Sequence, residues 1–223
     1  MRNEHRLRFS KLGRARYISH LDLMGTFQRA FLRAGIDIKH TEGFNPHAFV
    51  SIPLPLSVGF GSECEVLDFQ LVREIQLEEV PGRINAALPE GIVVQKCYEA
   101  ERPAKALTYV NYIITLEYES GTPVGTAAAI QELFTRESLV VSKRSKKAKS
   151  GQVEVDLIPL IAKYTVEGRR DSVTVDAVLR AQNPGLNPEL MVSAIRSQCP
   201  AAAPDFVSYY RKDVLDADFQ PWE

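Results

Sequence analysis

Within the first hundred residues the hydrophobic period switches between two and 3.6 in the order β-α-β-β-α-β. Leu7–Leu12 reads as a strand, apolar at Leu7, Phe9 and Leu12 with basic residues between. Ser19, followed three residues on by Asp22, marks a helix start, with Asp in place of the preferred Glu or Gln. Leu23, Phe27, Ala30, Phe31 and Ala34 then fall at the spacing of a core-facing stripe, and Gly35 ends the helix. Ala48–Pro55 and Glu65–Leu71 read as strands, Arg73–Leu88 as a helix interrupted near Pro81, and Ile92–Cys97 as a strand. That order is the ferredoxin-like unit.

A similar order returns after the linker Glu101–Lys105, without visible sequence identity. Strands are predicted at Tyr109–Tyr118, Ser138–Lys143, Val173–Leu179 and Phe206–Tyr210, with short ones at Val153–Asp156 and Tyr164–Glu167. Helices are predicted at Val124–Thr135 and Pro188–Ser197. The expected class is α+β, with two tandem ferredoxin-like halves at residues 1–100 and 106–223. A single larger mixed sheet is the alternative. The acidic tail Asp213–Glu223 reads as frayed.

At 223 residues the chain suits two domains of about 100 residues each. No run approaches the ~18 apolar residues that span a bilayer, and the start MRNEHRLRFSKL lacks the apolar core of a signal peptide. The three cysteines are odd in number, far apart and without a C-x-x-C spacing, which points to the cytoplasm and away from a cysteine-bound zinc or iron–sulfur site. No cofactor is expected in this chain. The net charge of −1 conceals segregation: residues 1–47 carry +5, Lys143–Lys149 another +5, and the remainder −11. Two basic islands on an acidic body point to a polyanion partner at a defined surface, against the plainer reading of a solvated charged face.

Arg14, Arg16, Tyr17, Arg29 and Arg33, with Lys39 and Phe44 near them in sequence, combine guanidinium forks for phosphate with rings for bases. On the first helix Asp22, Thr26, Arg29 and Arg33 share a polar face. That face and the loop Gly43–His47 are expected on one side of the N-terminal half, as a basic groove. Asn45 belongs to the same loop, and Phe44 reads more readily as a small core under it than as a stacking platform. Lys143, Arg144, Lys146 and Lys147 supply the second island. All four histidines, His5, His20, His40 and His47, lie in the first 47 residues. His20 and His47 are candidates for acid–base chemistry; no H-x-x-x-H or H-E-x-x-H spacing marks a metal site. The RNP aromatic signature of an RRM is absent, as are dinucleotide and P-loop fingerprints.

The stretches Arg8-Phe9-Ser10-Lys11-Leu12-Gly13, Tyr17-Ile18-Ser19-His20-Leu21-Asp22-Leu23-Met24, Arg33-Ala34-Gly35, Glu42-Gly43-Phe44-Asn45-Pro46-His47 and Pro53-Leu54-Pro55-Leu56 resemble the uncharacterised radical SAM-linked family. Members of that family occur alone or joined to the C-terminal end of cobalamin-binding-type radical SAM proteins, often near ribonuclease G and ribosomal-protein genes. The resemblance implies a radical SAM protein as partner and an RNA setting, and no established reaction. Gly25 stands where a basic residue commonly follows Leu-Met, and Ala48-Phe49 where Pro-Lys commonly follows the histidine. This chain has no C-x-x-x-C-x-x-C to hold a radical SAM cluster. More distantly it is similar to ferredoxin-like CRISPR repeat-processing endoribonucleases, although Pro200–Asp205 is rich in alanine and proline where those carry a glycine-rich loop.

Three functions are therefore expected in order. The first is an RNA-binding accessory protein serving a separate radical SAM enzyme in RNA modification or maturation. The second is a metal-independent ribonuclease using His20 or His47. The third is a protein–protein adaptor whose basic islands meet an acidic partner.

Overall fold

A computed structural model describes residues 4–144 and 151–222 and divides into two compact α+β units. The first comprises Met1–Ala106 with Pro221–Glu223, the second Leu107–Gln220. No helix among the described residues is long and apolar enough to cross a membrane.

The first unit runs β1 (His5–Lys11), α1 (His20–Arg33), β2 (Val50–Ser51), β3 (Gly61–Phe69), α2 (Val80–Asn85) and β4 (Ile92–Glu99). β1 lies between β3 and β4, β2 pairs with the far end of β3, and every pairing is antiparallel. The alternation of β1 sends Leu7 and Phe9 to the face that α1 covers with Leu23, Phe27, Ala30 and Phe31, all buried. Phe27 meets Phe9 edge-on at 4.8 Å, and Phe31 meets Phe69 at 4.8 Å. Each such ring contributes about 1.5–3 kcal/mol by leaving water. Ser19 caps α1 as its sequence predicts: its Oγ accepts from the Asp22 amide at 3.2 Å and donates to the Asp22 carboxylate at 2.7 Å.

Three expectations fail here. The helix predicted at Arg73–Leu88 is α2 alone, preceded by a single 3-10 turn at Leu77–Glu79. Gln76 is extended, and Pro81 lies in the first turn of α2, where its missing N–H is no loss. The strand expected at Ala48–Pro55 shrinks to β2, because residues 39–49 leave the sheet as a small hairpin: Phe49 donates to Lys39 O at 2.7 Å and Thr41 to His47 O at 2.8 Å. The acidic tail is not frayed. Trp222 is fully buried, with the Arg6 guanidinium 4.1 Å above its ring.

The second unit runs β5 (Tyr109–Glu117), α3 (Thr126–Phe134), β6 (Val140–Arg144), β7 (Gln152–Asp156), β8 (Ile161–Gly168), β9 (Ser172–Arg180), α4 (Glu189–Gln198) and β10 (Phe206–Leu215). Its sheet order is β10-β5-β9-β8, antiparallel throughout, and β6 and β7 form a separate hairpin. β10 runs five residues past the predicted Tyr210 end and carries the chain through Asp213. At the base of the hairpin, Asp156 accepts from the Leu139 amide at 2.9 Å and the Ile158 amide at 3.2 Å. The Leu139 amide above all, with help from Ser138 and Ile158, holds the Asp156 carboxyl below its usual pKa against the opposing effect of burial.

A depressed folded pKa means that this contribution is present above the unfolded carboxylate value and is lost as pH falls through the folded one. The Leu139 amide proton should therefore shift as its bond breaks on acidification, from roughly pH 5 downward, with the midpoint below the ordinary ~3.9. A midpoint at or above the ordinary value, or the same titration in Asp156→Asn, would refute this account.

Candidate nucleic-acid interface

β1 ends in the 3-10 turn Gly13–Tyr17, which leads into α1. Gly13 adopts φ +53°, and the turn is closed by Leu12 donating to Gly91 O at 2.8 Å and Ala15 donating to Leu12 O at 3.0 Å. Ala15 is the plug of the turn, 2% exposed. Arg14 and Tyr17 point to solvent and Arg16 is half-buried.

The Arg16 carbonyl is held by two donors, the Gly59 amide at 2.8 Å and the buried Lys11 ammonium at 2.9 Å. Arg16 therefore sits on a fixed backbone. Its guanidinium carbon lies 5.6 Å from the centroid of the Tyr17 ring, and Nη2 is 3.4 Å from the Tyr17 hydroxyl. The Arg16 Nε is buried and has no hydrogen-bond partner among the described residues. Sequence reading missed Lys11 and Gly59 as supports of this site, because both act through a backbone carbonyl rather than at the surface.

α1 carries Arg29 and Arg33, both exposed. Arg29 folds back along the helix to Thr26 Oγ1 at 3.4 Å, and a Cβ on Gly25 would stand 3.2 Å from its Nη1. The glycine thus leaves room for the arginine.

The hairpin at residues 39–49 projects with Phe44 fully exposed at its tip, so no core forms under that ring and the expected packing is overturned. The hairpin base joins α1 through the Gln28 side chain, which donates to Ala48 O at 2.8 Å. Arg29 and Arg33 lie about 100° around α1 from Gln28 and Leu32. The arginine stripe is thus offset by one residue's turn from the line on which the hairpin base docks.

His40 and His47 lie on opposite strands of the hairpin, but the four histidines form no common cluster. His47 Nδ1 is 3.1 Å from Thr41 Oγ1 and 3.2 Å from the Asn45 carbonyl, inside its own loop. His20 opens α1, and Gln28, where the hairpin docks, is about 12 Å further along the axis at 1.5 Å per residue. Among the described residues no three of His, Cys, Asp and Glu gather as a metal-ligand set. Burial, with Glu78 nearby, pushes the Cys97 thiol up to about 12, leaving negligible thiolate at neutral pH.

In the second unit Lys143 and Arg144 end β6. Lys146 and Lys147 lie outside the described residues.

No curated protein matches the chain. Among solved structures it overlaps a chain from the crystal structure of a Cbf5-Nop10-Gar1 complex with a TM-score of 0.47 and 9% identity, over 94% of this chain and 48% of that one. It also overlaps an unknown protein from Galdieria sulphuraria with a TM-score of 0.27 and 8% identity, over 96% and 98% respectively. The chain thus spans about half the length of the first of these. A family of uncharacterised proteins conserved in bacteria matches residues 5–188, and the chain belongs to that family, DUF2344.

Proposed function

We propose that this chain is an RNA-binding accessory protein that presents its RNA to a separate radical SAM enzyme in the cytoplasm, and that each unit is a ferredoxin-like half. The antiparallel order β4-β1-β3-β2 in the first unit and β10-β5-β9-β8 in the second supports the latter reading, with β6–β7 as an insertion between α3 and β8. The observation that carries the RNA reading is the Arg14–Arg16–Tyr17 turn. It holds a cation against an exposed ring on a clamped backbone. Phosphate takes the guanidinium fork and a base stacks on Tyr17. Arg29 and Arg33 on α1 extend the contact, and the exposed Phe44 offers a second platform. The radical SAM partner rests on the sequence resemblance alone.

Neutralised phosphates release counterions, so RNA affinity should fall with salt at a log–log slope of about −0.7 per contacted phosphate on a single strand. Arg14→Ala with Arg16→Ala should weaken binding and flatten the slope by about one to two phosphate contacts, with thermal unfolding unchanged. Tyr17→Ala should lower affinity by about 1–3 kcal/mol at every salt concentration. Parental affinity and slope in the double variant would overturn the reading. The adaptor reading draws on Leu21 and Leu32, both exposed on α1. A 260/280 nm absorbance ratio typical of pure protein after gentle purification, together with no RNA binding, would favour it.

A further inference from the structure

We infer that the first unit holds a pocket for a single unstacked nucleobase, beside α1 and under the 39–49 hairpin, that selects bases bearing an amino group. The inference rests on the RNA reading above and names which part of the RNA the unit takes in.

A cavity of about 330 Å³ lies there, at the small end of the ~300–1,000 Å³ typical of ligand sites. Its walls include Phe31, Ile36, Ile38 and Val72, and its polar lining is Gln28, Asp37 and His40. Apolar walls reject phosphate and sugar but suit the faces of a heterocycle. The polar groups are few: the Gln28 side chain is held by its bond to Ala48 O, and the backbone beneath the other two is fixed, at His40 by pairing with Ala48 across the hairpin and at Asp37 by its carbonyl accepting from Val72. This is the composition of a site that orients one small planar ligand through its edge.

Asp37 sets the preference. Its carboxylate offers only acceptors, and its contact with Arg73 is a single long one of 3.6 Å between exposed side chains. A base edge carrying an exocyclic amine donates to it, as cytosine N4 does to acidic side chains. Guanine presents two adjacent donors, N1–H and N2–H, and fits best; uracil has a single N3–H flanked by two carbonyl oxygens, whose repulsion by the carboxylate weakens that one contact. The flanks of the cavity supply what the rest of a nucleotide needs. Lys39 lies on the hairpin, Arg29 and Arg33 lie one flank further around α1, and the Phe44 ring at the tip is free to stack a neighbouring base.

The test titrates the full chain with GMP, AMP, CMP and UMP while following the methyl resonances of Ile36, Ile38 and Val72. GMP should shift these methyls saturably and bind about tenfold or more tightly than UMP. Asp37→Asn should remove that preference, and Ala48→Leu and Val72→Phe, which fill the space from two sides, should each abolish the shifts with thermal unfolding retained. If none of the four nucleotides moves these methyls, or Asp37→Asn leaves the order of affinities unchanged, the inference is overturned, and a peptide side chain becomes the natural occupant. RNA binding that survives the filling variants but not Arg14→Ala with Arg16→Ala overturns the pocket and leaves the RNA reading standing. GMP bound in the cavity of a protein that binds no RNA overturns the RNA reading and leaves the pocket.

Discussion

Replacing Trp222 with alanine is expected to destabilise the protein by about 3–5 kcal/mol, the range for removing a fully buried aromatic side chain. Trp222 is the only tryptophan and is 0% exposed. It packs in the first unit against Arg6, itself 1% exposed. Arg6 is held from its other side by Asp68, through Nε at 2.6 Å and Nη2 at 3.0 Å, and by the Arg102 carbonyl at 3.1 Å. Truncation therefore leaves a cavity beside a buried ion pair and removes a desolvated cation–π contact, itself about 2 kcal/mol in such a setting. Trp222→Phe separates the contributions. The indole N–H is buried without a hydrogen-bond partner among the described residues, so the phenyl ring keeps most of the packing and sheds an unsatisfied donor. It should cost well under half as much as alanine. Urea unfolding followed by far-UV circular dichroism measures both, since the variants lose the fluorescent reporter. A loss below about 1 kcal/mol for Trp222→Ala would place the residue among surface substitutions and refute the burial account.

The second large effect belongs to Gly91. An alanine Cβ at this position would stand 2.5 Å from the Leu12 carbonyl oxygen and 2.9 Å from the Ala15 Cβ, and the backbone has φ +86°. Left-handed strain alone costs about 1–3 kcal/mol in a non-glycine residue, and the clash is with backbone, which cannot rotate away. The expected loss for Gly91→Ala is about 3 kcal/mol or more. Relief requires moving the Gly13–Tyr17 turn, whose first tie is the Leu12 amide on the Gly91 carbonyl at 2.8 Å. RNA affinity should fall along with stability, although residue 91 carries no charge. Gly82→Ala is the control. A Cβ there meets nothing within 4 Å, and alanine is the better helix former. If Gly91→Ala keeps both parental stability and the parental amide shifts of Leu12 and Ala15, the close approach is not a constraint.

Sequence alone determined the elements whose cause is local. α1 was legible because its cap, its stripe and its stop all lie within seventeen residues: the Ser19 hydroxyl, the Leu23–Phe27–Phe31 spacing, and Gly35 at φ +63°. β1 and β3 were legible from apolar alternation, and the basic turn at Arg14–Tyr17 from composition. Tertiary structure decided what depends on partners distant along the chain. Leu77, Val80 and Ile84 fit helical spacing, yet Gln76 is extended and only the last two sit inside α2, because the core is reached by a loop as readily as by a helix. The tail reads as polar by count, but one indole stacked on Arg6, more than two hundred residues earlier, outweighs its acids. Phe44 reads as core by residue type, but the hairpin that leaves the sheet at residue 39 carries it into solvent. The cavity of Gln28, Asp37, Ala48 and Val72 joins four segments that share no period, so no spacing in the sequence announces it; only packing of α1 against the sheet brings those groups within reach of one ligand.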